Sequence, residues 1–449
     1  MTREATSPRR RRPSRPGPAA LALACWLAIG HAGALTLAPG EPLPPLTPGA
    51  ELRLLPGVHA GPWTIEAAGV QLVAAPGAVL DGGGRGTALT VTAPGVRIEG
   101  LTVTGVGPRA DLYAPDAALA LLGADGAEVR GLRAHDVTAG VHVEGAADVR
   151  LLDLDLRGDA RGPGVTSYLT PGLRVEGGRL EGFLDGAYLE RADGALVADL
   201  EVHGSRRYGL HVMFTAGVTL RDNVVVGGGV GSAVMYGRDA VVTGNLLEGH
   251  RGPMAFGLLL QEERDAALRG NTARGNTVGL LLVAAAGARL DDNRLEGNGV
   301  GVLLDRAPTG SAADASSVAI AGHAFVANAA DLAVADEEAA LALRGNGFDR
   351  APPLDLDGDG VLDLPYVATS AFAARAARQP DLMLLAYGPG IALWQRLEAS
   401  VPGLRAAAFA DPAPAIVASV GRSGGAGWAA ALAAVALALG GFANARGRA

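Results

Sequence analysis

A spacing of 22 residues between repeated short segments, a Gly-rich composition poor in aromatics, and no helical pattern inside the repeat predict an all-β chain. The fold class is a right-handed parallel β-helix, a solenoid of about 12 coils with a C-terminal helical extension. The segments read apolar, polar, apolar, any, then Gly, Asp or Asn, as in Val96-Arg-Ile-Glu-Gly100, Val149-Arg-Leu-Leu-Asp153 and Val218-Thr-Leu-Arg-Asp222. Their fifth positions are Ala74, Gly100, Gly131, Asp153, Gly177, Asp199, Asp222, Gly244, Gly270, Asp292, Gly322 and Gly345. The shortest step between them, 22 residues, recurs four times, and the longer ones of 26, 30 and 31 read as loops inserted into a coil. Leucine-rich repeats need a fixed leucine frame and propeller blades about 40 to 50 residues, so neither fits.

The chain begins with an export signal, residues 1–34. Arg9 to Arg12 and Arg15 precede the apolar run Ala19 to Ile29, and Ala32-Gly33-Ala34 supplies the small residues of a cleavage site. The single cysteine, Cys25, lies in that run, so the processed protein has neither a disulfide nor a thiolate cluster, and a soft metal must use His or Met. Residues 35–69 are expected to form the N-terminal cap, and residues 70–350 the solenoid. Asn223, Asn245, Asn271, Asn293 and Asn346 follow the marker directly, with His323 in the same slot, the pattern of a hydrogen-bonded amide ladder.

Residues 351–370 form an Asp-rich cap loop in which Asp355, Asp357, Asp359 and Asp363 resemble a calcium site, although Tyr366 stands where such a loop has its bidentate Glu. An ordinary Asp/Gly turn explains the same residues. Residues 371–412 show helical spacing at Leu382, Leu385, Ile391, Trp394 and Leu397, broken at Gly388-Pro389-Gly390. Residues 413–449 hold a linker and an uncharged stretch, Ser423 to Ala445, followed by Arg446 and Arg448. That stretch reads as a membrane anchor, a Gly-Gly sorting tail, or an Ala-rich helix that never inserts. Net charge is −8 with no basic patch beyond the N-terminus, which excludes a nucleic-acid footprint.

The repeat frame also gathers chemistry. Met213 lies nine residues before Asp222 and Met235 nine before Gly244, so both fill one slot in consecutive coils, with Glu190 and Gln261 in the flanking ones. His211 shares the side of Met213, and Met254 stands in a loop between coils. Thioether and imidazole together suit Cu(I). The competing account is methionine as solenoid core filler. Three function classes are carried: a metal or client-docking accessory protein, a polysaccharide lyase or epimerase using Arg206, Arg207, Arg221, Glu190 and Asp222, and a plain surface adhesin or scaffold.

At Tyr208-Gly-Leu-His211-Val-Met213-Phe214, Val234-Met235-Tyr236, Arg251-Gly-Pro253-Met254-Ala-Phe256 and Leu356-Asp-Gly-Asp-Gly-Val-Leu-Asp-Leu-Pro-Tyr366, the chain resembles the NosD family of nitrous oxide reductase maturation proteins. The motifs spread over roughly residues 34 to 414. The chain departs from the family at Phe348-Asp-Arg-Ala-Pro-Pro353, where the family has aromatics. The resemblance implies a periplasmic β-helix without catalytic activity that docks on an ABC-type complex, a cytoplasmic ATPase plus a membrane subunit. It further implies a copper chaperone and apo nitrous oxide reductase as clients, and a role in assembling the reductase's copper-sulfur centre. The chain has no P-loop, so ATP hydrolysis belongs to the partner.

Overall fold

The computed structural model describes residues 34–253, 255–306, 318–335, 341–368, 370–401 and 409–417. Strands pair in parallel from coil to coil and build three sheets along the solenoid. The first runs from Leu35–Leu37 to Leu341–Arg344, the second from Gly57–Ala60 to Gly347–Phe348, and the third from Trp63–Ile65 to Ala330–Val334. Among the described residues the third sheet stacks twelve strands, matching about 12 coils.

Why these residues coil is visible at the corner after the first sheet. Every marker from Gly100 to Gly345 has a positive φ, between 54° and 72°. Only Gly, and Asp or Asn through local hydrogen bonding, reach that left-handed region at low cost, which is why the marker alternates between Gly and Asp. The next side chain turns into the interior. There the Nδ2 of Asn223, Asn245 and Asn271 each donates to the Oδ1 of the following Asn at 2.9 Å. Asn293 then meets His323 Nε2 at 3.2 Å, and the His323 amide donates to Asn346 Oδ1 at 2.9 Å. A second ladder, not anticipated, runs through the corner between the second and third sheets. The backbone amides of His250, Asn276 and Asn298 donate to the side chains of Asn276, Asn298 and Asn328 at 2.9 to 3.0 Å. Leu, Val and Ala fill the space between the ladders.

Residues 35–69 supply the first strands of the solenoid, Leu35–Leu37 pairing in parallel with Leu52–Leu54 and Trp63–Ile65 with Leu89–Val91. Alternating apolar residues suffice to start a coil there. At the far end residues 371–412 are not helical throughout. Helices span Ala371–Arg378 and Pro389–Ser400, with a 3-10 turn at Pro380–Leu385, and Gly388-Pro389 starts the second helix, Pro occupying its first turn. Phe409–Asp411 is a strand antiparallel to Tyr366–Ala368. An open coil exposes unpaired backbone groups, and this strand pair covers the last one, where the Gly345 and Asn346 amides donate to Asp411. Tyr366 stacks on Phe348 with centroids 4.1 Å apart, and Asp411 Oδ2 accepts from Asn346 Nδ2 at 2.8 Å.

The outer surface of the third sheet carries a second apolar cluster, separate from the solenoid interior. Ala233, Leu259, Leu281, Leu303 and Ala333 pack under Phe372, Ala376 and Ala386, with Leu382 and Ile391 beside them. The helical segment is therefore a cover for one half of one sheet. Tyr387 ties it down, donating to the Asn276 carbonyl and accepting from the Gly299 amide at 3.2 Å.

Candidate functional site

Next to that covered half, the third sheet presents a different chemistry. Parallel register places Glu190, Met213, Met235 and Gln261 directly over one another, and Tyr188 over His211, as the repeat frame predicted. Leu210 and Val212 point into the core, so His211 and Met213 point outward. The methionines are not core filler: Met213 and Met235 are half-buried on the outer surface. Met254 lies outside the described residues.

His211 is outward yet only 5% exposed, because the Tyr188 and Tyr208 rings lie 4.9 and 4.2 Å from it. Its Nδ1 meets Asp185 Oδ2 at 3.0 Å. Asp185, fully buried, is also held by Arg207, whose Nε and Nη2 donate to its two oxygens at 2.8 and 2.5 Å. Burial alone would raise the Asp185 pKa, but the hydrogen bonds from Arg207 and His211 outweigh it and hold the carboxyl below its ordinary range. An ionised Asp can only accept, so Nδ1 carries the proton; in the neutral imidazole Nε2 is then the atom with a free lone pair. Sequence reasoning missed Asp185, and named Arg207 only for a lyase or epimerase.

Glu190 anchors the other side. Its Oε2 accepts from the Tyr188 hydroxyl at 2.5 Å and from the Tyr113 hydroxyl at 2.9 Å, and the side chain is 7% exposed. Tyr188 also contacts Met213 Sδ at 3.7 Å. Burial, and then the neighbouring Glu190 carboxylate, push the Tyr188 phenol well above its usual range, so it stays a donor. Tyr113 arrives on the loop 106–116, inserted within the 31-residue step, where Leu112 O accepts from Thr166 Oγ1 at 2.8 Å. No periodic signal marks that residue.

The backbone just past this column is unusual. Arg191, Phe214, Tyr236 and Glu262 all have φ between 50° and 59°. Bulky residues in that region cost about 1 kcal/mol each. Their amides nonetheless extend the ladder, Phe214 to Met235 O at 3.0 Å and Tyr236 to Gln261 O at 2.8 Å. The turn directs the Phe214 and Tyr236 rings outward, stacked 5.2 Å apart, and Gln261 Nε2 donates to the Tyr236 hydroxyl at 2.6 Å. Phe214, Leu169, Pro171, Arg191 and Asp193 line a shallow open pocket beside the column.

The residues named for a lyase or epimerase are divided: Arg221 and Asp222 meet each other at 2.6 Å, away from Glu190, which is held by Tyr188 and Tyr113. Arg221 pairs with Asp199 and Asp222 at the corner after the first sheet, and Arg207 is engaged by Asp185. At the C-terminal end the carboxylates of Asp355, Asp357 and Asp359 lie within 4.8 Å of one another. They already accept backbone amides in their own turn, such as Gly358 N to Asp355 at 2.7 Å. Asp363 faces instead the amide of Leu356 at 2.7 Å, and Tyr366 is taken up by the end cap. Among the described residues no helix is long and apolar enough to cross a membrane. The stretch Ser423 to Ala445 lies outside them, as do the residues expected to form an export signal, up to Gly33.

The coils that hold the site match a known family. Residues 153–339 match the model of the periplasmic copper-binding protein (NosD). The chain is 36% identical over 140 residues to the "Probable ABC transporter binding protein NosD" of Stutzerimonas stutzeri, covering 29% of this chain and 31% of that one. It is 33% identical over 140 residues to the protein of the same name in Pseudomonas aeruginosa, covering 30% and 32%. The match thus spans about a third of the length of either relative. Among solved structures, the chain is similar to the periplasmic alginate epimerase AlgG at 13% identity and a TM-score of 0.45, over 66% of this chain and 76% of that one.

Proposed function

We propose, from the premise that residues 153–339 belong to the NosD family, that this chain is a non-catalytic periplasmic accessory protein for maturation of the copper-sulfur centre of nitrous oxide reductase. It works with an ABC-type ATPase and its membrane subunit, and takes a copper chaperone and the apo reductase as clients. The relatives' printed name, an ABC transporter binding protein, supports that partnership.

One observation carries the reading. His211 is oriented through Nδ1 by the buried Asp185, leaving Nε2 as a ligand atom beside thioethers in consecutive coils. A metal-binding imidazole fixed by a carboxylate on its other nitrogen is the arrangement that raises ligand basicity and locks ring orientation. Strand spacing sets Met213 and Met235 about 4.8 Å apart at the backbone, near enough for two sulfurs to share one ion. The donor set fits copper: His211, Met213 and Met235 would hold it, with Glu190 and Gln261 at the ends of the column. Bound there, copper would be a cargo ion kept in a soft, exchangeable site. The chain's own groups orient the imidazole, keep Glu190 hydrogen-bonded and shield the ring nitrogen from water. The stretch Ser423 to Ala445 would hold the solenoid near the membrane complex. A calcium ion at Asp355, Asp357 and Asp359 would staple the cap, and EGTA would then lower Tm.

The test is purification of the reductase from cells lacking this gene and from cells carrying His211→Ala with Met213→Ala. Copper-deficient, inactive reductase in both supports the role and the site. Full copper loading in the deletion strain overturns the role; full loading in the double variant alone overturns the site.

A further inference from the structure

The helical cover has an outer face of its own. Of seventeen large apolar or aromatic side chains exposed among the described residues, six fall within residues 385–401: Leu385, Tyr387, Leu393, Trp394, Leu397 and Val401. Such a cluster on a protein surface marks a contact site, whereas scattered exposed residues need no explanation. Helical spacing accounts for the grouping. On the helix Pro389–Ser400, Ile391 turns to the apolar cluster of the third sheet, and Glu398 is buried, accepting from the Ala371 amide at 2.8 Å. Leu393 and Leu397 lie one turn apart with Val401 one turn further, a stripe on another side of the helix, and Leu393 is 59% exposed. Trp394 gives its single donor to Glu398 Oε1 at 2.5 Å, so what it leaves exposed is apolar ring.

What covers this stripe is indicated by the chain that follows it. The last described segment docks on the final coil, where Ala415 N donates to the Asn346 carbonyl at 3.0 Å, at the same end of the solenoid as the helices. After residues 418–422 begins the uncharged stretch Ser423 to Ala445, long enough to cross a bilayer, with Arg446 and Arg448 behind it. Five extended residues reach about 18 Å, so a tail in the bilayer brings this end of the solenoid to the lipid surface. Charge favours the same neighbour. Residues 371–401 carry Arg375, Arg378 and Arg396 against Asp381 and the buried Glu398, on a chain of net charge −8, so anionic headgroups are attracted at this segment. The helix Pro389–Ser400 has 12 residues, about 18 Å, too short to cross and of a length to lie flat.

We infer that the outer face of the helix Pro389–Ser400 is a membrane contact: Leu393, Leu397 and Val401, with Trp394 beside them, enter the interfacial layer of an anionic bilayer while the helix lies in its plane. The contact goes beyond the accessory role proposed above. It uses none of the copper residues, so either reading can fail alone.

With the expected export signal removed the chain has no cysteine, so Leu393→Cys, at an exposed position, offers one thiol for an environment-sensitive fluorophore. The experiment labels that variant in the chain with its C-terminal stretch intact and compares emission in buffer and on vesicles of phosphatidylcholine with phosphatidylglycerol. Val58→Cys, exposed in the first coils, is the reference. On vesicles the Leu393→Cys label should shift to the blue and brighten about threefold or more, and nitroxide lipids should quench it, while the Val58→Cys label stays as in buffer. Adding Leu397→Ser and Val401→Ser should remove most of that change with circular dichroism unaltered. No vesicle-dependent change at Leu393→Cys, whether or not the chain floats with the vesicles, overturns the contact. An equal change at Val58→Cys overturns it as general adhesion. A label already shifted in buffer and insensitive to lipid also overturns it, and assigns the face to the chain's own tail or to a second copy.

Discussion

One column of side chains, the outer surface of the third sheet, changes character halfway along its length. From His142 through Thr166 and Tyr188 to His211 it is polar and aromatic; from Ala233 through Leu259, Leu281 and Leu303 to Ala333 it is aliphatic. Backbone, register and coil are the same in both halves. What differs is the cover. The aliphatic half lies under helices that contribute Phe372, Ala376 and Ala386 to a continuous apolar cluster. The polar half lies under the loop 106–116, fastened by single hydrogen bonds such as Tyr113 to Glu190. Apolar packing is cooperative and excludes water, whereas hydrogen bonds at a surface exchange with water at little net cost. The comparison teaches that a solenoid can keep one half of a surface permanently closed and leave the other to be opened, with Met213 and Met235 at the seam.

The largest effect should come from the closed half. Leu281→Ala removes a buried side chain from the cluster beneath the helices and should cost about 2 to 4 kcal/mol in denaturant unfolding. A cost near zero would show that the helices merely rest there. The seam should respond next, through pH. Glu263 is buried, its Oε2 accepts from Gly237 N at 2.9 Å, its Oε1 has no partner, and burial pushes its pKa up to about 7. A carboxyl whose folded pKa is raised contributes stability below its unfolded value of 4.5, and that contribution is lost as pH rises through about 7. Tm should therefore fall between pH 5 and pH 8, and Glu263→Gln should reduce that fall by about 2 °C. An identical profile in the variant would mean the carboxylate is solvated.

The open half should yield smaller changes. Tyr113→Phe leaves Tyr188 to serve Glu190, so the loss should be about 0.5 to 1 kcal/mol, with faster amide exchange in residues 106–116. Unaltered exchange would show that Leu112 and its neighbours hold the loop without the phenol. Smallest of all in stability is Met235→Leu, a volume-conserving change that should shift unfolding by less than about 0.5 kcal/mol. The same variant should weaken Cu(I) in a competition assay with a chelating dye, and equal affinity would remove Met235 from the site.

The solenoid was legible in the sequence because its corners are chemically restrictive. A left-handed corner once per coil admits Gly and Asp, so the markers recur at the coil length, and counting from them puts Glu190, Met213, Met235 and Gln261 in register. Asp185 escaped because it lies off the His211 column. Its strand partner is Tyr208, three residues before His211, so slot counting does not connect Asp185 with His211. Tyr113 escaped for a different reason: an inserted loop has no slot. The helical cover did leave a trace. Val278–Val283 reads Val-Gly-Leu-Leu-Leu-Val, apolar on both sides of the strand, the signature of a sheet buried on both faces. The strand Phe409–Asp411 left none, since three residues carry no period.

The amide ladder inside the first corner points one way. Each Asn gives its proton to the next coil toward the C-terminus, so the column is a row of aligned dipoles that needs, at its last member, a group able only to receive. Asp411 is such a group. Read as a polymer, the solenoid has a chain terminator: a further coil arriving with its own asparagine finds the final donors already taken. The carboxylate of Asp411 thus guards against end-to-end growth of one molecule upon another, a hazard to which stacked strands with free ends are prone.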